Sequence, residues 1–77
     1  MKNLLDFILT HLVDYPEDIA IEETENEYGE SVYEIKLNEA DAPRIIGRSG
    51  SMIKAIRKLV QNAAFQEGQR IKINLEV

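Results

Sequence analysis

The sequence predicts an α+β fold in which three helices cover one face of a three-stranded mixed sheet. Two observations support this fold class. Apolar residues alternate with polar ones in three short segments, which is typical of strands, and they recur every three or four residues in the segments around them, which is typical of helices. The resulting order is helix, strand, strand, helix, helix, strand. Because two helices separate the second and third strands, these strands can lie parallel, while the first two form an antiparallel pair.

Residues 1–14 are predicted to form the first helix. Its apolar residues follow helical spacing, at Leu4, Leu5, Ile8 and Leu12. Tyr15-Pro16 is expected to end the helix, because the residue before a proline is pushed out of the helical region. His11 is the single histidine of the chain and flanks the apolar stripe. We therefore expect it to have a structural or solvent-exposed role rather than a catalytic one.

A hairpin of two strands is predicted next. Residues 19–25 begin with Ile-Ala-Ile alternation and become acidic, as in an edge strand whose outer end is protected by charge. Residues 25–30 form the connection, and Gly29 is the predicted position of positive φ. Residues 32–37 alternate again, which places Tyr33, Ile35 and Leu37 on one face. The pattern gives an antiparallel hairpin with one apolar face.

The second half of the chain is predicted to contain two more helices and the last strand. Asn38 or Asp41 can cap a short helix, and Ser49 or Ser51 can cap a longer one that runs to about residue 66. The predicted apolar face of the longer helix consists of Met52, Ile53, Ile56, Leu59, Val60, Ala63 and Ala64. Residues 70–77 then alternate without exception. Their apolar face consists of Ile71, Ile73, Leu75 and Val77.

The loop Gly47-Arg48-Ser49-Gly50 between these two helices is the strongest candidate for a functional site. Glycine at both ends of a four-residue loop indicates positive φ angles or a close approach of the backbone to a ligand. Because the loop leads into a helix N-terminus, unpaired N–H groups and the positive end of the helix dipole lie beside Arg48. This arrangement predicts an anion site, and phosphate is the natural ligand.

The net charge of −5 is unevenly distributed along the chain. Residues 1–43 contain two basic and twelve acidic residues, a net charge of −10, whereas residues 44–77 contain seven basic and two acidic residues, a net charge of +5. Such a division can concentrate an anionic ligand on one face of the molecule and repel it from the other. The alternative is that these charges only solvate the faces of ordinary helices and strands.

The segment Ile46-Gly47-Arg48-Ser49-Gly50 resembles the Ile-Gly-x-x-Gly signature of the KH domain, whose loop grips a nucleic-acid backbone. Residues 52–56 continue as the second core helix of that family does. The chain length and the element order resemble the small single-KH bacterial RNA-binding proteins of the KhpA type. The resemblance implies that residues 1–77 form one KH domain of type II. It also implies that the acidic connection at residues 25–30 is the variable loop bounding the binding groove, where it should repel phosphate.

The resemblance further implies that the ligand is single-stranded RNA and that the protein acts as an RNA chaperone or post-transcriptional regulator. The residues that it assigns to RNA binding are Ile46, Gly47, Arg48, Ser49, Gly50, Lys54 and, as weaker electrostatic helpers, Arg44 and Arg57. Ile45, Ile46 and Ile53 would form an apolar floor under the bases, or simply pack in the core. Proteins of this type are associated with self-association and with a larger KH-containing partner. A homodimer or such a heterodimer is therefore expected.

Catalysis, metal binding and membrane association are not expected. The glycine loop lacks the spacing and the terminal Lys-Ser/Thr of a nucleotide-binding phosphate loop, and no clustered histidines or cysteines offer a transition-metal site. The apolar run near the N-terminus is interrupted by polar residues and is far shorter than a membrane span. We expect no catalytic residue, metal, cofactor or small-molecule substrate, and a cytoplasmic location, with which the absence of cysteine is compatible. The competing interpretation is a KH-like protein-protein interaction module with little or no RNA binding.

Overall fold

The computed structural model describes residues 1–76 and contains three helices and three strands in the predicted order. The helices are α1 (Lys2–Thr10), α2 (Ala42–Ile46) and α3 (Ser51–Gln66), and the strands are β1 (Ala20–Glu25), β2 (Ser31–Lys36) and β3 (Ile71–Glu76). Short 3-10 turns lie at Pro16–Asp18 and Arg48–Gly50. The predicted α+β fold class is therefore confirmed. Val77, predicted as the last apolar residue of the final strand, lies outside the described residues.

The three strands form one mixed sheet in the order β1, β2, β3. β1 pairs antiparallel with β2, with Ile21 opposite Ile35, and β2 pairs parallel with β3, with Tyr33 beside Ile73. The hairpin between β1 and β2 has the predicted positive φ at Gly29, where it is 76°. α2 and α3 together make the crossover that the parallel pair requires.

The apolar sides of the helices and of the sheet meet in one core. Tyr33, Ile35 and Leu37 are buried, as their alternation predicted, and Ile71 and Ile73 of β3 are buried beside them. The helices contribute Leu5, Leu9, Ile45, Ile53, Ile56, Val60 and Ala64. Because protein cores are closely packed, this core holds α2 and α3 at a fixed position on the sheet. The loop that joins these two helices is fixed with them.

The buried side of α3 is narrower than predicted. Met52 is 37% exposed and Leu59 is 57% exposed, although both belong to the predicted apolar face. Successive residues turn by about 100° around a helix, so Leu59 points well away from its neighbour Val60, which is fully buried. The nine-residue α1 also packs against α3 but does not cover Leu59.

α1 is shorter than predicted, because the chain leaves the helix at Thr10 and not at the residues before Tyr15. The physical reason lies in a contact with a distant residue. The N–H groups of Asp14 and Tyr15 donate to the side-chain carboxylate of Asp41, at 3.0 and 3.1 Å, instead of continuing the helix.

This contact also corrects the predicted cap of α2. Asp41 occupies the N-cap position, but its side chain caps nothing there. Asn38 holds the segment before α2, because its side-chain oxygen accepts the N–H of Ala40 at 2.8 Å. The main-chain carbonyl of Asn38 accepts a further hydrogen bond from the Asp41 N–H at 2.9 Å.

The glycine loop and the hairpin lie at opposite ends of the sheet. The hairpin leads into the first residue of β2, whereas the loop follows the last residue of β2 by way of α2. α3 then runs back along the sheet to the start of β3, which lies beside the start of β2. A helix of sixteen residues is about 24 Å long. Since charges are largely screened beyond about 10 Å, the acidic residues at 25–30 would repel an anion at the loop less than the resemblance implied.

Candidate nucleic-acid interface

The loop between α2 and α3 turns tightly through three positive φ angles. Gly47 has φ 74° and ψ −179°, a region essentially reserved for glycine. Ser49 (φ 55°, ψ 28°) and Gly50 (φ 77°, ψ 14°) are both left-handed. Among residues 1–76, Ser49 is the one non-glycine residue with positive φ, a conformation that costs a residue with a side chain about 1–2 kcal/mol. The tight turn leaves Arg48 and Ser49 exposed.

The two glycines of the loop serve different purposes. A Cβ atom on Gly47 would lie 2.7 Å from the Cβ atom of Met52 and 2.8 Å from its amide nitrogen, so no side chain fits there without moving α3. A Cβ atom on Gly50 would meet only Lys54 Cε, at 3.8 Å, which is an ordinary contact. Gly47 therefore allows α2 to end directly against the first turn of α3, whereas Gly50 is needed for its left-handed backbone.

The N-terminus of α3 opens towards the loop without a side-chain cap. Gly50 takes the N-cap position, and among the described residues no side chain caps the first turn, so the predicted capping by Ser49 or Ser51 is wrong. The Gly50 N–H itself donates to the Gly47 carbonyl at 3.3 Å. The first N–H groups of any helix lack a partner within the helix, and the dipole of a sixteen-residue helix lies behind them. This end of α3 therefore attracts anions.

Two of the predicted cationic residues lie beside this helix end. Arg48 is exposed within the loop. The side chain of Lys54 runs back along α3, as helical side chains do, so that its Cε lies 3.8 Å from the Cβ position of Gly50. Neither Arg48 nor Lys54 forms a salt bridge with another residue in the range 1–76. Both positive charges are therefore available to an anion held by the loop.

Ile46 lies between the loop and an apolar cleft at the end of the sheet. The cleft has a volume of about 530 Å³ and is lined by Leu37, Ala42, Pro43 and Ile46, together with the charged residues Lys36, Glu39 and Glu76. The predicted apolar floor is smaller than expected, because Ile45 is fully buried and Ile53 is 6% exposed. Both belong to the core. Of these three isoleucines, only Ile46 is placed to contact a ligand.

A family model described as the KH domain of KhpA and KhpB matches residues 2–75. The chain belongs to this family. The match covers the glycine loop and all six helices and strands, apart from the last residue of β3. The three helices and the mixed sheet are therefore a KH-like α+β fold, as the resemblance implied.

Relatives of this KH domain are similar over nearly their whole length. The RNA-binding protein KhpA of Oceanobacillus iheyensis and that of Clostridium perfringens are each 37% identical to the chain over 75 residues, which cover 97% of this chain and 99% of the relative. The RNA-binding protein KhpA of Thermotoga maritima is also 37% identical over 75 residues, and these cover 97% of both chains. The similarity thus extends far beyond the loop.

Arg44, predicted as an electrostatic helper, has a partner elsewhere in the KH domain. Its Nη2 lies 3.2 Å from Asp14 Oδ2, and its Nη1 donates to Asp14 Oδ1 at 3.2 Å. Nη1 also lies within 3.4 Å of the Leu12 carbonyl. The charge of Arg44 is therefore balanced by a carboxylate, on the side of α2 that faces the end of α1.

Arg57, the second predicted helper, is held against the sheet. Its Nε donates to the Ile73 carbonyl at 2.9 Å, and β3 is an outer strand of the sheet. The side chain thereby protects part of an unpaired strand edge. The structure brings Arg48 and Lys54 directly to the loop, while Arg57 lies farther along α3.

Asp41 shapes the site although the sequence indicated only a helix cap. It is 1% exposed, and its two hydrogen bonds to the N–H groups of Asp14 and Tyr15 join the start of α2 to the chain after α1. The salt bridge between Arg44 and Asp14 adds a second link. Because α2 has only five residues, these links help to set its direction and hence the position of Gly47.

The described part of the chain contains no group of three histidine, cysteine, aspartate or glutamate residues placed to hold a metal ion. The ring of His11 is exposed, and its Nδ1 lies 2.8 Å from the carbonyl of Phe7. None of the helices within residues 1–76 has the length and apolar character needed to cross a membrane.

Proposed function

We propose that this chain binds single-stranded RNA and holds its backbone at the loop Gly47-Arg48-Ser49-Gly50. The observation that carries the proposal is the uncapped N-terminus of α3, which opens into a tight glycine loop beside two available cations. Relatives in the same KH family are named RNA-binding proteins, and KH domains in general clamp about four nucleotides of backbone with this loop. The role is one of binding without a chemical step, as an RNA chaperone or post-transcriptional regulator in the cytoplasm.

In the proposed complex, a phosphate of the RNA lies at the N-terminus of α3. The N–H groups of the first turn and the helix dipole bind its oxygens. Arg48 adds charge-assisted hydrogen bonds, and Lys54 adds a second positive charge. Gly50 has no side chain that would keep the strand at a distance. Ile46, beside the apolar cleft, offers a contact to an unstacked base.

Base preference at the loop should be weak. Phosphate contacts fix the position of a strand without reporting its sequence, and the loop contains no aromatic residue on which a base could stack. Affinity should therefore depend mainly on charge. If about three phosphates of a single strand are neutralised, the logarithm of the affinity should fall with the logarithm of salt concentration with a slope of about −2.

The double substitution Arg48→Asp, Ser49→Asp tests the loop. It should abolish binding of a short single-stranded RNA, measured by fluorescence anisotropy across a salt series, and leave the thermal stability nearly unchanged because both side chains are exposed. The matched control is Lys2→Asp, Asn3→Asp, which changes the net charge equally on exposed residues of α1 and should retain binding. An equal loss in both variants would show that overall charge, and not the loop, determines affinity.

We further propose that pairing with a second KH domain raises the affinity of one loop. Met52 and Leu59, which flank the buried side of α3, present exposed apolar surface. This surface favours contact with a second copy of the chain or with a larger KH-containing protein. Two paired loops would bind one RNA more tightly than either alone.

Leu59→Asp tests this pairing, because it places a charge in the exposed apolar surface. The variant should convert a dimer to a monomer in sedimentation equilibrium. A wild-type chain that is already monomeric would contradict self-association.

The same apolar surface supports an alternative function, a KH-like module that binds protein and little or no RNA. A pull-down with and without RNase separates the two functions. A stoichiometric protein partner that survives RNase, combined with negligible RNA affinity at low salt, would favour the alternative.

A further inference from the structure

One exposed face of α3 carries a line of side chains that begins at the glycine loop. Residues three or four positions apart lie on the same side of a helix. The residues with this spacing are Gly50, Lys54, Lys58, Gln61 and Phe65. The last four are exposed, and Lys54 bends back over Gly50. The line therefore leads from the proposed phosphate site to the far end of α3.

Phe65 is the last residue of this line, and its side chain is largely exposed to solvent. It is 79% exposed, more than any other large apolar side chain in the range 1–76. Single exposed apolar residues are common on protein surfaces, so exposure alone does not distinguish Phe65. Its position does, because it shares a helix face with Lys54 and Lys58. Proteins bind single-stranded nucleic acid with positive charges placed along the sugar-phosphate backbone and with aromatic rings on which the bases stack.

We propose that an RNA strand held at the glycine loop continues along this face and stacks a base on Phe65. The inference rests on the proposed function and extends the binding site beyond the nucleotides held at the loop. Phe65 follows Gly50 by fifteen residues, which is about 22 Å along the helix. At the roughly 3.4 Å per nucleotide of a stacked strand, this distance corresponds to about six nucleotides, and to fewer when the strand is extended.

The order of the basic and aromatic side chains along α3 agrees with the direction of the helix dipole. The N-terminal end of α3 attracts phosphate, whereas the C-terminal end carries the negative end of the dipole and disfavours it. A base is uncharged, so stacking on an aromatic ring remains favourable at that end. Lys54 lies beside the N-terminal end. Lys58 lies between the two ends, where it can neutralise a phosphate of the intervening nucleotides.

The first test compares RNAs of two lengths. Oligouridines of about four and about ten nucleotides are titrated with the wild type and with Phe65→Ala. The variant should bind the longer RNA about 5- to 150-fold more weakly and the shorter RNA equally well. Phe7→Ala is the matched control, because it removes a 61% exposed ring from α1. It should bind both RNAs like the wild type.

A second variant reports on stacking directly. The chain contains no tryptophan, so Phe65→Trp introduces a single indole. The longer oligouridine should quench its fluorescence, and the shorter one should leave it nearly unchanged. Adding Arg48→Asp and Ser49→Asp to this variant should abolish the quenching, because the strand is then no longer anchored at the loop.

The possible results separate this inference from the proposed function. Equal binding of the longer RNA by the wild type and Phe65→Ala would overturn the assignment of Phe65, while a loss of both RNAs on changing Arg48 and Ser49 would still support the loop. Loss of a dimer in Phe65→Ala, with unchanged RNA affinity per chain, would also overturn it by assigning the ring to a protein contact. A wild-type chain that binds neither RNA would refute both proposals.

Discussion

The hairpin turn and the glycine loop, at opposite ends of the sheet, are built in different ways. The hairpin turn is closed by Asn26, whose side-chain oxygen accepts the N–H groups of Tyr28 and Glu30, each at 3.0 Å. The Asn26 N–H donates to the Glu30 carbonyl at 3.0 Å, and the Asn26 side-chain amide donates to Glu30 Oε1 at 2.9 Å. The turn thus provides acceptors for its own N–H groups.

The glycine loop is held in place by packing. Gly47 lies directly against Met52 at the start of α3. The Gly50 N–H makes one bond within the loop, to the Gly47 carbonyl, and no side chain in the described residues caps the helix that follows. The shape of this loop therefore depends on close contact with α3, and its helix end remains open to a ligand.

The comparison shows that two turns of similar length can differ in whether their N–H groups are bonded within the turn or left open to solvent. Buried or ordered N–H groups need an acceptor. The hairpin supplies that acceptor itself, whereas no side chain among residues 1–76 does so for the first turn of α3. Glu25, Glu27 and Glu30 lie at the hairpin, where Lys72 Nζ is 4.0 Å from Glu30 Oε1, whereas Arg48 and Lys54 lie at the loop.

The largest expected difference between the two turns is the loss of stability when a glycine is replaced by alanine. Gly47→Ala should lower the free energy of unfolding by about 3 kcal/mol or more, because it combines a strained backbone with a clash against Met52. Gly29→Ala strains the backbone only, since a Cβ atom there meets nothing within 4 Å, and should cost about 1–2 kcal/mol. Urea unfolding followed by circular dichroism measures both. Equal destabilisation would contradict the importance of the contact with α3.

Removing a side-chain acceptor should have a smaller effect, confined to the hairpin. Asn26→Ala should lower the free energy of unfolding by about 1–2 kcal/mol, because two N–H groups lose their partner. Its RNA affinity should equal that of the wild type.

Ser49→Ala should have the opposite pattern of effects. Because Ser49 is exposed, the free energy of unfolding should change by no more than about 0.5 kcal/mol, while RNA binding should weaken. Weaker RNA binding by a fully folded Asn26→Ala protein would show that the two ends are coupled.

The strands and the loop could be predicted because their signals are local. Alternation over six residues decides which face of β2 is buried, and Tyr33 and Ile35 lie where it places them. The spacing of the glycines marked the loop in the same way. It did not show that Ser49 joins the glycines at positive φ, since serine seldom adopts that conformation.

The partners of the charged residues could not be predicted, because they lie far away in the sequence. Arg44 meets Asp14 across thirty residues, and the carboxylate of Asp41 meets the same segment. In the local pattern, Asp41 looks like any helix cap. The exposure of Leu59 has a similar origin, since helical spacing gives the direction of a side chain but not how much of the helix its neighbours cover.

The smallest expected effect is a pH dependence of stability at the hairpin end of the sheet. The Tyr33 hydroxyl donates to Glu23 Oε2 at 3.3 Å. Burial, and then the negative charge of Glu23 and this hydrogen bond, raise the pKa of Tyr33 above its ordinary value of 10.0. The fold thus favours the neutral phenol. The resulting stabilisation is complete below about pH 10 and is lost as the pH rises through the raised folded-state pKa.

Tyr33→Phe isolates this contribution, because it removes the hydroxyl group and leaves every other ionisable group in place. The free energy of unfolding of the wild type minus that of Tyr33→Phe should be constant from neutral pH to about pH 10 and should decrease above it. Urea unfolding at a series of pH values measures the difference. If the difference stayed constant to about pH 11, the Tyr33–Glu23 contact would not favour the neutral phenol.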